Sequence, residues 1–228
     1  MKTQQNILDL ARKTIIEESQ AIAQLTNYIT NDFYDATQAI YQSKGRLIVS
    51  GIGKSSLIAQ KLVATFNSTG TPSLYLHAAE AIHGDLGMIQ KDDVIICISK
   101  SGNSPEIKVL VPFLTRFGNT LIAITGNTNS FLANGAKYIL NTTVEKEACP
   151  LNLAPTNSTT AQLVMGDALA VCLMQMRDFK PEDFATYHPG GALGKKLLLK
   201  VSDMLENSLK PTVETSTPVK KVIFEISE

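Results

Sequence analysis

Four short stretches of this chain gather small, hydroxylated and charged residues: GIGKSS (51–56), HAAEAIHGDLG (77–87), SKSGNSPE (99–106) and EKEACPLNLAPTNSTT (145–160). The first places two glycines, Lys54, Ser55 and Ser56 between an apolar run and a helix-like one. It is not a nucleotide-cradling GxxxxGK[ST] loop, because Ile48 stands where the first glycine belongs, nor a dinucleotide fingerprint, which needs a third glycine where Ser56 stands. What survives is a tight turn with free amide groups, one cation and two hydroxyls, a combination suited to an anion. The third stretch is the sharpest. Ser99, Ser101, Asn103 and Ser104 surround Gly102, and Pro105 suits the first turn of a following helix. Ser158, Thr159 and Thr160 form a second hydroxyl cluster. Together these stretches predict a phosphorylated small-molecule ligand.

Proton-moving groups are few. Of three histidines, His83 and His188 sit beside glycine or proline-glycine turns, while His77 closes an apolar run and is assigned a structural role. Glu106 and Glu147 follow strand-like runs, and either could take a proton from carbon if held close to a substrate. His83, Asp85, Glu147, Cys149 and His188 are formally metal ligands, yet no short paired spacing such as HExxH links them, so no metal and no cofactor is expected.

The elements that must position these groups follow from hydrophobic periodicity. Runs at 46–51, 73–77, 93–99, 120–126 and 138–142 are rich in Ile, Leu and Val with little polar alternation, as strands covered on both faces require. Helix-like segments lie between them, notably 55–68 and 104–117, which is the rhythm of a parallel sheet with crossover helices. Residues 1–40 predict one long helix or two that meet near Asn27–Asn31, from a stripe of Ile15, Ile22, Leu25, Ile29, Phe33, Ala36 and Ile40. Residues 158–177 predict a further helix, capped by Ser158 or Thr159. In such sheets ligands bind beyond the carboxyl ends of the strands, where the polar turns fall.

With 228 residues, 44% hydrophobic composition and a formal net charge of 0, the chain suits a globular protein with one main core and lacks the basic footprint of a nucleic-acid binder. Cys97, Cys149 and Cys172 form no CxxC pair and predict reduced thiols, hence a cytoplasmic setting. The longest apolar stretch, 163–176, contains Asp167 and predicts no membrane span.

GIGKSS, AAEAIHGDLGMI, ISKSGNSPEI, KEACPLNLAPTNSTTAQLVMGDALAV and HPGGALGKKLL together resemble the sugar isomerase (SIS) domain of the arabinose-5-phosphate isomerases, over residues 5–205. The resemblance implies a three-layer α-β-α sandwich around a five-stranded parallel sheet. It also implies a homotetramer with active sites near subunit interfaces, and conversion of D-ribulose 5-phosphate to D-arabinose 5-phosphate for Kdo in lipopolysaccharide or capsule. Domains are expected at 1–205 and at 206–228, the latter a linker and a tail similar to the opening of a CBS domain, so that the chain would be a form lacking the CBS pair. The same resemblance places phosphate at Ser99, Ser101 and Ser104 with help from Ser55, Ser158, Thr159 and Thr160. It implies Glu147 as the leading base, His188 as proton shuttle, Lys54 as electrostatic stabiliser, and His83 and Glu106 as groups that orient hydroxyls, with the two glutamates able to exchange roles. Lys100 and Pro105 depart from the family's small or polar residues. Two other readings stand beside this one: a non-catalytic phosphosugar sensor, and an isomerase for a different phosphosugar.

Overall fold

A computed structural model of the chain describes residues 3–191, 194, 197 and 213–227. It divides into two compact units, Met1–Phe179 and Lys180–Glu228, and the expected boundary at 205–206 lies outside the described residues.

The N-terminal periodicity resolves into two helices, α1 (Gln4–Gln24) and α2 (Asn31–Gln42), separated by a 3-10 turn at Leu25–Tyr28. The separation is local in origin: Ile29 and Thr30 adopt extended backbone, and Thr30 then serves as N-cap of α2. Leu25, Ala36 and Ile40 are buried, whereas Ile15 and Ile29 of the expected stripe face outward.

Five parallel strands follow: β1 (Leu47–Gly51), β2 (Ser73–His77), β3 (Val94–Ser99), β4 (Thr120–Thr125) and β5 (Tyr138–Asn141), in the spatial order β2-β1-β3-β4-β5. Every residue of β1 and β3 is buried. Because side chains alternate across a strand, the apolar runs divide cleanly between two cores. Val49, Ile96, Ile98, Ile122 and Ile124 pack with α2, with α3 (Lys54–Ser68) and with α7 (Asn157–Met176) through Ala36, Leu62, Phe66, Met165 and Leu169. Ile48, Ile95, Cys97, Leu121 and Ala123 pack on the opposite face with Ala78 and Ala81 of α4 (Ala78–Ala81), Ile107, Leu110 and Leu114 of α5 (Pro105–Phe117), and Leu132 of α6 (Phe131–Gly135). This is the three-layer sandwich with a five-stranded parallel sheet. Burial pushes the Cys97 thiol up to about 12, so it stays protonated as core filling.

The strand order has one consequence for function. The chain leaves β1 into α3 on one face and leaves β3 into α5 on the other, although β1 and β3 are neighbours. The two connections diverge and leave a crevice at the carboxyl edge of the sheet. At the opposite edge the same two strands are clamped: the Asp93 carboxylate accepts from the Arg46 amide at 2.7 Å, the Arg46 guanidinium at 3.0 Å and the Gln90 amide at 2.8 Å. Burial opposes ionisation of Asp93, but Arg46 and these amides hold its pKa below the usual carboxylate range. In the second unit the described helices are α8 (Pro181–Tyr187) and α9 (Val219–Ser227). Among the described residues no helix is long and apolar enough to cross a membrane.

Candidate active site

Where β1 and β3 diverge, a cleft of about 270 Å³ is lined by Ile52, Lys54, Ser55, Ser99, Lys100, Ser101, Ser104, Pro155, Ser158, Thr159 and Gln162. It joins three stretches singled out by their residue types, although they lie far apart in sequence. The β1–α3 turn is made by Gly53, whose φ of 59° lies in the left-handed region that favours glycine. The β3–α5 turn depends on Gly102 at φ 62°, where an added Cβ would collide with the Ser130 Oγ. With that approach available, the Gly102 amide donates to the Ser99 Oγ at 3.1 Å and the Asn103 amide to the Ser101 Oγ at 3.2 Å. Pro105 takes the first turn of α5 with Ser104 as N-cap, and the buried Ser104 hydroxyl has no hydrogen-bond partner. A buried hydroxyl without a partner is costly, and an anion in the cleft would relieve it.

The third contributor is the start of α7. The helix begins at Asn157 with Thr156 as N-cap, so Ser158 and Thr159 lie inside it and do not cap it. Capping comes from outside the helix. The Glu147 side chain is wholly buried, and its Oε2 accepts from the Thr156 amide at 2.8 Å, the Ser158 amide at 3.1 Å and the Thr156 hydroxyl at 3.2 Å. Its Oε1 accepts from the Ser158 hydroxyl at 2.5 Å and the Lys100 ammonium at 2.6 Å. A carboxylate can satisfy two orphan amides at once and also meets the positive end of the helix dipole, which a serine hydroxyl cannot match. Burial pushes the Glu147 pKa up, but Lys100, Ser158 and the two amides outweigh it and hold the pKa down to about 2.

Of the residues expected to touch phosphate, Ser55, Ser99, Ser101, Ser104, Ser158 and Thr159 line the cleft, together with Lys54. Thr160 does not; two residues on from Ser158 it is turned about 200° round the helix, and its hydroxyl donates to Glu18 of α1 at 3.0 Å. The Ser158 hydroxyl is committed to Glu147, and the Ser55 hydroxyl donates to Gln162 at 3.1 Å. Glu147 lies behind the cleft wall rather than on it. Glu106 sits half-buried in the first turn of α5, beside the serine turn, with no hydrogen bond or ion pair among the described residues. His83 is exposed after α4 and does not line the cleft. His188 belongs to the second unit, where its ring stacks on Phe184 at 3.9 Å and its Nδ1 lies 2.9 Å from the Phe184 carbonyl oxygen. A carbonyl only accepts, so Nδ1 carries the proton and Nε2 keeps its lone pair. Among the described residues no three His, Cys, Asp or Glu side chains gather as a metal site.

Lys100 and Gln162 are cleft residues that residue types alone did not select. The Lys100 position carried one signal, a cation inside a serine-rich turn; Gln162 carried none beyond its spacing four residues after Ser158.

The SIS domain model matches residues 39–172, from α2 into α7. The chain is 50% identical over 212 residues to the "Probable arabinose 5-phosphate isomerase" of Haemophilus influenzae, covering 93% of this chain and 63% of that one. It is 51% identical over 207 residues to the arabinose 5-phosphate isomerase KdsD of Pseudomonas aeruginosa, covering 90% of this chain and 64% of that one. It thus spans less than two thirds of the length of these two relatives. Among solved structures, a sugar-phosphate complex of the E. coli CFT073 protein c3406 superposes with a TM-score of 0.79 at 39% identity, over 82% of this chain and 100% of that one. A family model that runs through the whole sheet, and a solved relative matched along its full length, establish that the chain belongs to the SIS domain family.

Proposed function

We propose that the chain is an aldose–ketose isomerase that interconverts D-ribulose 5-phosphate and D-arabinose 5-phosphate through an enediol, in the supply of Kdo. The observation that carries this reading is the cleft at the β1–β3 divergence, with its two cations, its hydroxyls and the unpartnered Ser104, in a chain 39% identical to a protein solved in complex with a ligand that we take as arabinose 5-phosphate. Phosphate binds at Ser99, Ser101 and Ser104, with Ser55 and Lys54 on the facing turn. A base removes a proton from C1 of the open-chain ketose, the electron pair forms the C1–C2 double bond, and the enediolate takes a proton at C2 to give the aldose.

Of the two candidate carboxylates, Glu106 fits the base better. Glu147 would have to surrender five donors and sits at a pKa of about 2, which makes it a weak proton acceptor. His188, with Nε2 unprotonated, serves as the shuttle between the two oxygens, Lys54 stabilises the enediolate, and His83 orients substrate hydroxyls. Because His83 does not line the cleft, a homotetramer with sites near its interfaces is part of this reading.

Incubation with D-ribulose 5-phosphate in deuterated water, followed by NMR, tests it. The expected product is D-arabinose 5-phosphate with deuterium at C2. Binding without turnover would reject the isomerase in favour of a phosphosugar sensor; a ribose product would keep the chemistry and reject the substrate.

A further inference from the structure

We propose that Lys100 is a phosphate-binding residue and that Glu147 is the positioning residue that holds it at the cleft. This rests on the phosphosugar reading above and assigns a role to the residue in the serine turn that departs from the family. Lys100 follows β3 directly, lines the cleft, and its side chain is 49% exposed, while the carboxylate it meets at 2.6 Å is fully enclosed. The pair is therefore asymmetric: the anion is built into the wall and the cation stands at the mouth.

The wall is rigid for a reason visible in the donors around it. Thr156 and Ser158 supply four of the five hydrogen bonds to Glu147 from the first turn of α7, and the Glu147 amide donates to the Asn152 side chain at 2.7 Å. A lysine on a free four-carbon stem loses considerable conformational entropy when a ligand fixes it. Here that cost is met on folding, because Glu147 already holds the ammonium. An ammonium has three donors and Glu147 takes one, which leaves two for phosphate oxygens. No carboxylate lines the cleft, so Lys54 and Lys100 together oppose the two negative charges of a phosphate monoester, and the unpartnered Ser104 hydroxyl supplies a further donor.

Titration of the full chain with inorganic phosphate, by calorimetry, tests the assignment with a readout that does not depend on turnover. K100M is expected to weaken phosphate binding by about 10-fold or more, as loss of a charge-assisted hydrogen bond does. K100R should recover most of that loss. E147Q should weaken binding in the same direction, and the K100M/E147Q double variant should bind no worse than K100M alone, since both act through one ammonium. With D-ribulose 5-phosphate as substrate, both single variants should raise KM more than they lower kcat. If E147Q does not fold, K100M and K100R decide the role of Lys100 by themselves. Phosphate affinity unchanged in K100M overturns the assignment, as does an E147Q protein whose kcat collapses at unchanged phosphate affinity, the behaviour of a base. If the unchanged chain binds no phosphate, the cleft is not an anion site and this assignment falls with it. Lys100-dependent phosphate binding in a protein that turns nothing over would sustain the assignment and reject the isomerase.

Discussion

Replacing Glu147 by Gln removes one buried charge and keeps the length of the side chain, so it isolates what the ionised carboxyl does for the fold. At neutral pH the amide can accept at one end only, and its NH2 group must face donors that Glu147 accepts from. A loss of about 2–4 kcal/mol is expected, from hydrogen bonds to a charged group that are lost or reversed. The pH dependence is the sharper test. The folded carboxyl titrates at about 2 against an ordinary 4.5, so the unfolded chain takes up the proton first as pH falls. The stabilisation is complete above pH 4.5 and drains away as pH drops from there through about 2. At roughly 1.4 kcal/mol per pH unit, a depression of about 2.5 units sets a ceiling near 3.4 kcal/mol. Lys100 is half exposed and screened by solvent, so about 2 kcal/mol is the expected size. Urea unfolding followed by circular dichroism at fixed protein concentration, for the unchanged chain and E147Q, measures it directly. The difference in unfolding free energy should hold constant from pH 7 to about 5 and shrink by about 2 kcal/mol by pH 2.5. A difference that does not change over that window would refute the claim that the donors around Glu147 hold it ionised.

Glu106→Gln should cut turnover of D-ribulose 5-phosphate by about 100-fold or more while phosphate affinity stays within a few-fold, measured by coupled kinetics and calorimetry. Ser104→Ala removes the unpartnered hydroxyl and should weaken phosphate binding about 10-fold without lowering the thermal midpoint; unchanged affinity would show that the hydroxyl does not meet the ligand. Gly102→Ala must place a Cβ against Ser130 at a positive φ, so a loss of about 1–3 kcal/mol in unfolding free energy is expected, with phosphate affinity falling as the serine turn shifts. A midpoint and affinity both unchanged would mean that the turn accommodates the methyl group.

How much could be read without coordinates depended on whether the cause was local. The apolar runs of β1 and β3 announced strands covered on both faces because each of their side chains meets a helix, and both strands are buried along their whole length. Pro105 in the first turn of α5 was equally legible, since its fixed φ and missing N–H act within its own segment. Ser158 was misjudged as a cap because propensity counts only the residues next to the helix. Here a carboxylate from the preceding loop takes the role, and it can do so only because Asn152 and Thr156 fold that loop back onto the helix start.

The amino-acid sequence by itself determined the layers, the parallel sheet and the residue types of an anion site, because each follows from periodicity or from the chemistry of a few adjacent residues. Only the tertiary structure decided which groups share one cleft. Strand order brought residues 54, 101 and 158 together at the β1–β3 divergence, helical rotation turned Thr160 away toward Glu18, and residues 100 and 147 were joined in one ion pair. That pairing separates the two carboxylates: Glu147 is buried under five donors and Glu106 is left without a partner among the described residues. The physical reason is that a carboxylate's basicity belongs to its surroundings, and surroundings assembled across 47 residues of chain exist only once the chain has folded.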